Sequence, residues 1–260
     1  MTKRFAVVGS PIQHSKSPLI HQRAFEFLGV EASYERVEIA NDLKAWTQSL
    51  DENWHGISVT MPLKFEALEL AERVDPLAIA AQSANTLVRR GKAWDAFNTD
   101  IMGIQQALSG KKFSAVCVLG TGATARSAIV AMLEKGKTVS VWGRDAEKVQ
   151  RLSAEFGVES ITGLHTALSQ PAVISTLTAH ALDDQLESEY RGFLLDVVYN
   201  PWPTKLALSF PSDRVTSGLE MLLWQAIGQQ RLFAGLELTE ALPDEANLLR
   251  TVRSALNMAK

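Results

Sequence analysis

The chain is poor in the features that cross-link proteins or anchor them to other surfaces. Its only cysteine, Cys117, cannot form an intramolecular disulfide, which points to a reducing compartment. Inside the apolar run AVCVLG that thiol reads as a small buried hydrophobe. No stretch is long enough to span a bilayer, and MTKRFAVVG passes from two cations straight into a short strand without a signal-peptide core. Like charges are not grouped: 26 Lys and Arg against 29 Asp and Glu leave a net −3, which argues against a general nucleic-acid binder. The five histidines, His14, His21, His55, His165 and His180, are scattered and make no compact ligand set, which points away from metal catalysis. No serine sits in a G-x-S-x-G elbow, so a serine hydrolase is excluded as well. The expectation is a soluble cytoplasmic protein with no metal and neither nucleic acid nor membrane as a partner.

What is present is a core-forming α/β pattern. With 46% apolar and 21% charged residues, 260 residues can form one large domain or two ordinary ones. RFAVVG, SYERVEI and HGISVT read as strands, and ANTLVRR with AWDAFN reads as a hairpin. In SPLIHQRAFEFLGV, Ser17 can cap a helix and Pro18 suits its first position. A second alternating series follows, with strands AVCVLG, TVSVWG, AVISTL and FLLDVVY separated by helical patterns. Such alternation implies parallel βαβ units. The expected architecture is two α/β lobes: an N-terminal lobe of residues 1–101, joined by the helical tail 221–260, and a Rossmann-like parallel-sheet lobe of residues 102–220.

The second lobe opens with Gly120-Thr121-Gly122-Ala123-Thr124-Ala125, the G-x-G-x-x-A form of a dinucleotide turn, between an apolar strand and a helix. The first glycine allows the tight turn, the second lets backbone approach a pyrophosphate, and the helix N-terminus supplies N–H donors. A turn that merely needs glycine is the plain alternative. An acid on the ribose would mark NAD, about 20 residues after the glycines. Here Trp142-Gly143-Arg144 puts a guanidinium near the place of a 2′-phosphate, which favours NADP over NAD. A solvated surface arginine is the competing reading. Asp145 either repels that phosphate or caps the next helix.

The first lobe gathers polar groups at strand ends and helix starts: Ser15-Lys16-Ser17, Thr60 with Lys64, Asn85-Thr86 and Asn98-Thr99-Asp100. Sites in open α/β sheets lie beyond the carboxyl ends of strands. Taken singly, these residues can be helix caps, a turn asparagine and a solvated lysine. GISVTMPLK is the most pointed of them, since a β-branched strand meets a proline and two residues later presents one lysine in a helix's first turn. The helix dipole disfavours a cation there, which favours a specific role.

GSPIQHSKSPLIH, GISVTMPLK, SANTLV, FNTDIMG, VLGTGATARSA, DVVYNPWPTKL and SGLEMLLWQA stand in order along nearly the whole chain. Together they resemble the shikimate dehydrogenase family of the bacterial monofunctional type. The wording, with its shortened final helices, is most similar to actinobacterial members. The resemblance implies reduction of 3-dehydroshikimate to shikimate with NADPH, in aromatic amino-acid biosynthesis, by a monomer or homodimer. It implies that Lys64 and Asp100 are the catalytic pair; since an opposite charge alone only favours the lysine's charged form, Asp100 is expected mainly to orient the lysine and a substrate hydroxyl. It also implies that Ser15, Ser17, Thr60, Asn85, Tyr199 and Gln225 hold the substrate. Gly120 to Thr124, Arg144, Lys148, Val197 and Gly218 would then meet the cofactor.

The chain departs from the family pattern at Ser58, usually asparagine, at Ala123, usually glycine, and at Gly143 and Asp145, where asparagine and threonine normally flank the arginine. Lys148 stands where a second arginine is common. Two other readings stay open at this point: a broad-scope enzyme that also takes quinate with NAD, and a nucleotide-sensing protein that has kept the fold without the chemistry.

Overall fold

The computed structural model describes residues 2–186 and 189–258. It is an α/β protein of two compact units, one made of residues 1–103 and 222–260, the other of residues 104–221.

The first unit begins with β1 (Lys3–Gly9), α1 (Ser17–Leu28), β2 (Ala32–Glu38) and α2 (Leu43–Gln48). It continues through β3 (Trp54–Val59), α3 (Lys64–Leu70), β4 (Arg73–Val74) and α4 (Pro76–Ala81). The hairpin β5 (Thr86–Arg90) and β6 (Ala93–Phe97) then leads into α5 (Thr99–Ala107), within which the chain leaves this unit. Its sheet has the order β2-β1-β3-β5-β6-β4 and is mixed. The pairs of β1 with β2 and β3 are parallel, whereas β5 runs antiparallel to both β3 and β6. Period-two alternation divides the core between the two faces of this sheet. Ala6, Val8, Ile57, Val59, Leu87 and Ala96 pack in one cluster, while Phe5 and Val7 pack with Phe25 and Tyr34 in another.

In the second unit, β7 (Ala115–Leu119), α6 (Ala123–Leu133), β8 (Thr138–Trp142) and α7 (Ala146–Phe156) come first. They are followed by β9 (Glu159–Ser160), α8 (Leu164–Leu168), β10 (Ala172–Ser175), β11 (Phe193–Asp196), α9 (Lys205–Leu208) and β12 (Val215–Ser217). The strand order is β12-β11-β10-β7-β8-β9, and every pair is parallel. The chain returns to the first unit within α10 (Gly218–Phe233) and ends in α11 (Glu245–Ala255). Cys117 is fully buried in the core of this sheet, and burial pushes its thiol pKa up to about 12. Among the described residues no helix is long and apolar enough to cross a membrane.

One local reading of the sequence is corrected here, and one open alternative is decided. Ser17 is the first residue of α1 rather than its cap, and Ser15 is the serine that receives a first-turn N–H, that of Ser17, at 3.3 Å. Asp145 is the N-cap of α7, accepting the Lys148 N–H at 3.1 Å.

Helices α10 and α11 are joined by an ion pair. The Arg231 guanidinium donates to both carboxylate oxygens of Glu245, at 2.9 and 2.5 Å, and the Leu242 N–H adds a third bond at 3.0 Å. Both side chains are nearly nine-tenths buried. Breaking such a pair strands a charge, whereas replacing both partners with apolar groups is often neutral. Glu245→Ala is expected to lower the unfolding free energy by about 2–4 kcal/mol, read from the urea midpoint. The double variant Arg231→Met/Glu245→Leu recovers most of that loss.

Candidate active site

The polar groups of the first unit converge at one end of its inner strands β3, β5 and β6. Because β5 is antiparallel to β3, its start lies beside the carboxyl end of β3, and the Val59 N–H donates to the Asn85 carbonyl at 2.7 Å. The Asn85 N–H in turn donates to Phe97 at the end of β6, at 3.0 Å. Thr60, Asn85 and Asn98-Thr99-Asp100 are thereby brought to one end of adjacent strands. Lys64 is the first residue of α3 and Asp100 stands in the first turn of α5, where a carboxylate suits the positive end of the helix.

Lys64 Nζ donates to Asp100 Oδ2 at 2.5 Å, with the lysine 8% and the aspartate 4% exposed. The second oxygen, Oδ1, accepts Asn85 Nδ2 at 2.9 Å, and the same nitrogen lies 3.2 Å from Gln225 Oε1. Asn85 Oδ1 receives the Thr99 backbone N–H and the Thr86 hydroxyl, each at 2.8 Å. Lys64, Asp100, Asn85 and Gln225, read separately from the sequence, are thus one hydrogen-bonded group. Ser15 is half-buried, and Arg36 donates to its carbonyl at 2.7 and 3.1 Å. Ser17 is buried. Thr60 is half-buried just past β3, its N–H donating to Val8 at 2.9 Å.

Behind this group lies a set of buried polar residues that the sequence reading did not join to it. Tyr34 donates to Ser58 Oγ at 2.5 Å, and Ser58 donates to Gln229 Oε1 at 2.8 Å. Gln229 Nε2 donates to the Asn85 carbonyl and to Thr86 Oγ1, at 3.1 and 3.0 Å. His21 lies between Gln229 and Gln230, at 3.0 and 2.8 Å, and stacks on Tyr34 with 4.3 Å between ring centroids. Since Gln229 Nε2 faces a carbonyl, its oxygen faces His21, so His21 Nε2 carries the hydrogen and Nδ1 accepts from Gln230. The readable signal was on α10, where Gln225 and Gln229, one turn apart, interrupt an apolar face. Among the described residues, no three His, Cys, Asp or Glu side chains are placed to hold a metal ion.

The glycine turn, Val197, Tyr199 and Gly218 belong to the second unit. Gly120 has φ +117°, and a Cβ there would run into Thr176 Oγ1, so the turn requires glycine. Gly122 is the N-cap of α6, offers no side-chain cap, and has open space where a Cβ would stand. Ala123 begins α6, which places its methyl on the helix itself, and Ala125 is fully buried against the sheet. Thr121 and Thr124 flank these positions, both half-buried. The start of α6 is open at Gly122, and a helix N-terminus with its N–H donors and positive dipole end is a setting suited to phosphate. Gly218 opens α10, and a Cβ there would run into the Val197 carbonyl, so no larger residue fits. Arg144 is exposed after β8, and Lys148 Nζ lies 3.3 Å from Asp145 Oδ2. Asp145 is thus occupied as a cap and an ion-pair partner, and the Lys148 N–H holds its carboxyl pKa below the usual value.

Fold and turn define the class: an α/β protein with a Rossmann-like parallel sheet entered through a glycine turn. Residues 7–87 match the shikimate dehydrogenase substrate binding domain, and residues 103–183 match the shikimate / quinate 5-dehydrogenase family. The NADP(+) shikimate dehydrogenase of Ignicoccus hospitalis is 35% identical over 249 residues, 89% of this chain and 93% of its own. Mycobacterium tuberculosis shikimate dehydrogenase is similar in structure with a TM-score of 0.84, at 36% identity, over 97% of this chain and 99% of that one. The Thermus thermophilus enzyme, solved in complex with NADP(H) and shikimate, gives 0.83 at 31% identity, over 98% and 100%. The chain belongs to the shikimate dehydrogenase family.

Burial lowers the His21 pKa from 6.5 to about 3, against a smaller opposing effect of its hydrogen bond to Gln229. The unfolded chain binds this proton below pH 6.5 and the native one does not, so the stability His21 contributes is present above that pH and falls away below it. Between pH 6 and 5 the unfolding free energy is expected to drop with a slope approaching about 1.4 kcal/mol per pH unit for this one proton. Urea titrations of His21→Asn should show a flatter line over the same interval. His55, whose pKa burial also lowers, keeps its own share in both proteins.

Proposed function

We propose that this chain catalyses the reversible reduction of 3-dehydroshikimate to shikimate with NADPH, a step in aromatic amino-acid biosynthesis. The observation that carries the mechanism is the buried Lys64–Asp100 pair, its aspartate bonded by Asn85, which in turn bonds Gln225. In this reading residues 1–101 and 221–260 are the substrate domain and residues 102–220 the NADP domain. Ser15, Ser17, Thr60, Asn85, Tyr199 and Gln225 hold the carboxylate and hydroxyls of the substrate. Gly120, Thr121, Gly122, Ala123 and Thr124 receive the pyrophosphate at the start of α6. Arg144 and Lys148 meet the 2′-phosphate, and Val197 and Gly218 lie against the nicotinamide. The enzyme works in the cytoplasm as a monomer or homodimer.

Bound NADPH supplies the hydride that becomes the new C–H bond. Charge then develops on the ketone oxygen, and the Lys64 ammonium stabilises it and delivers the proton that completes the hydroxyl. Asp100, tied to Asn85 through its other oxygen, aims the ammonium and accepts a substrate hydroxyl. Proton release on the return path follows the same route. The Asp145 carboxylate is drawn to Lys148 and the α7 N-terminus, which leaves the Arg144 guanidinium to read the phosphate.

The test is absorbance at the nicotinamide band, with shikimate and either NADP or NAD, then with quinate in place of shikimate. Turnover confined to shikimate and NADP is the expected result. Comparable rates with NAD or quinate would move the chain to a broad-scope enzyme, and tight nucleotide binding without turnover would overturn the reading in favour of a sensor. Lys64→Ala is expected to reduce kcat by about 10²–10⁴-fold with NADP affinity nearly unchanged. Its melting temperature is recorded alongside, because Asp100 loses its buried partner; near-normal turnover in the folded variant removes Lys64 from the chemistry.

A further inference from the structure

We propose that Gln229 is a positioning residue for this reaction, fixing the Thr86 hydroxyl and through it the orientation of the Asn85 amide that donates to Asp100. The inference rests on the function proposed above.

Asn85 can serve Asp100 only with its NH2 turned toward the carboxylate, because the inverted amide would set oxygen against oxygen. The Thr99 backbone N–H and the Thr86 hydroxyl, each at 2.8 Å, hold it the right way round, and the Thr99 hydroxyl is a longer contact at 3.2 Å. The backbone donor is fixed, but a hydroxyl rotates and can give or receive. Thr86 Oγ1 has a second outlet at Thr99 Oγ1, 3.4 Å away, and a hydrogen sent there would leave Asn85 Oδ1 with one donor fewer. Gln229 restricts that choice. Its Nε2 donates to Thr86 Oγ1 at 3.0 Å and occupies the acceptor side of the hydroxyl, leaving the hydrogen for Asn85.

Gln229 is itself held at both ends. Its NH2 also reaches the Asn85 carbonyl, an obligate acceptor, so its oxygen must face Ser58 Oγ and His21 Nε2. Gln229 is 1% exposed, Thr86 0% and Asn85 2%, so solvent cannot stand in for a missing partner. The helix that carries Gln229 comes close enough for this reach at Gly228, where a Cβ would lie 3.2 Å from both Thr99 Cβ and Met102 Sδ. The result is one directed chain of donors, from His21 and Tyr34–Ser58 through Gln229, Thr86 and Asn85 to Asp100. Ser58 belongs to this chain, which gives its hydroxyl an inward role where the family usually has asparagine.

The experiment is a double-mutant cycle on the full chain, with shikimate and NADP as substrates. Gln229→Met keeps the bulk and removes the amide, and Thr86→Val removes the hydroxyl. Each is expected to lower kcat by about tenfold or more, with the KM for shikimate moved less and NADP affinity within about twofold of the parent. Thr86→Ser keeps the hydroxyl and should hold kcat near the parent value. In Gln229→Met/Thr86→Val, kcat should fall no more than about twofold below the lower single variant, since both changes break the same chain. Multiplying effects in the double variant, or a folded Gln229→Met with parental kcat, would overturn the proposal. If Gln229→Met gives no cooperative melt, Gln229→Asn replaces it. Its amide still partners His21 but falls a methylene short of Thr86, and parental kcat in that variant is equally fatal. A parent chain that does not turn over shikimate overturns the function and this inference with it, whereas an active parent with unaffected variants overturns the inference alone.

Discussion

Lys64 and Asp100 lie 2.5 Å apart with almost no access to water, and the first unit is organised around making that tolerable. A buried ion pair gains little from its own attraction, because both charges have lost their hydration. It stands only where the remaining donors and acceptors of each partner are matched by other groups. Here the matching comes from three places in the chain: the start of α3 brings the lysine, the start of α5 brings the aspartate, and Asn85, just before β5, reaches the aspartate's other oxygen. The antiparallel hairpin in an otherwise parallel arrangement is what turns β5 around, so that its first residue meets the carboxyl end of β3.

Around the pair, the surrounding polar groups are neutral. Gln225, Gln229, Gln230, Thr86, Thr99, Ser58 and Tyr34 are amides and hydroxyls, and burial keeps His21 in its neutral form. A second full charge at any of these places would compete with Asp100 for the ammonium or repel it. The stacked Tyr34 ring and the two glutamine contacts hold His21 in a single tautomer, which is what lets it donate to Gln229.

Much of this was legible in the sequence. Strands β1, β2, β3, β7, β8, β10 and β11, the β5–β6 hairpin, and helices α1, α7, α10 and α11 follow from short apolar runs and helical spacing. The glycine turn followed from its place between a buried strand and a helix. Some elements were not legible because they are brief: β4 and β9 are two residues each, and α8 and α9 are a single turn or little more. Helix α4 did carry a signal, since Asp75 precedes Pro76 and caps it through the Leu77 and Ala78 N–H groups. At α1 the error was a shift of two positions between two serines. The buried network escaped for a different reason: Gln229 meets Ser58 across 171 residues and His21 across 208, and no local pattern encodes such a partnership.

The first unit is made of two separated pieces of chain, residues 1–103 and 222–260. During synthesis the second unit has all its residues once position 221 has emerged, but the first still lacks its last 39. Among the missing pieces are Gln225 and Gln229, and also Leu223, Ile227, Leu248 and Val252, which bury Ile20 and Ala24 of α1. A nascent chain therefore carries an uncovered apolar helix face on the ribosome for as long as the whole second unit takes to be made. Pairings of such long sequence separation form late and leave sticky surface exposed meanwhile. The last helices thus close the hydrophobic core and complete the amide cluster in the same event, and a chain released early would have neither.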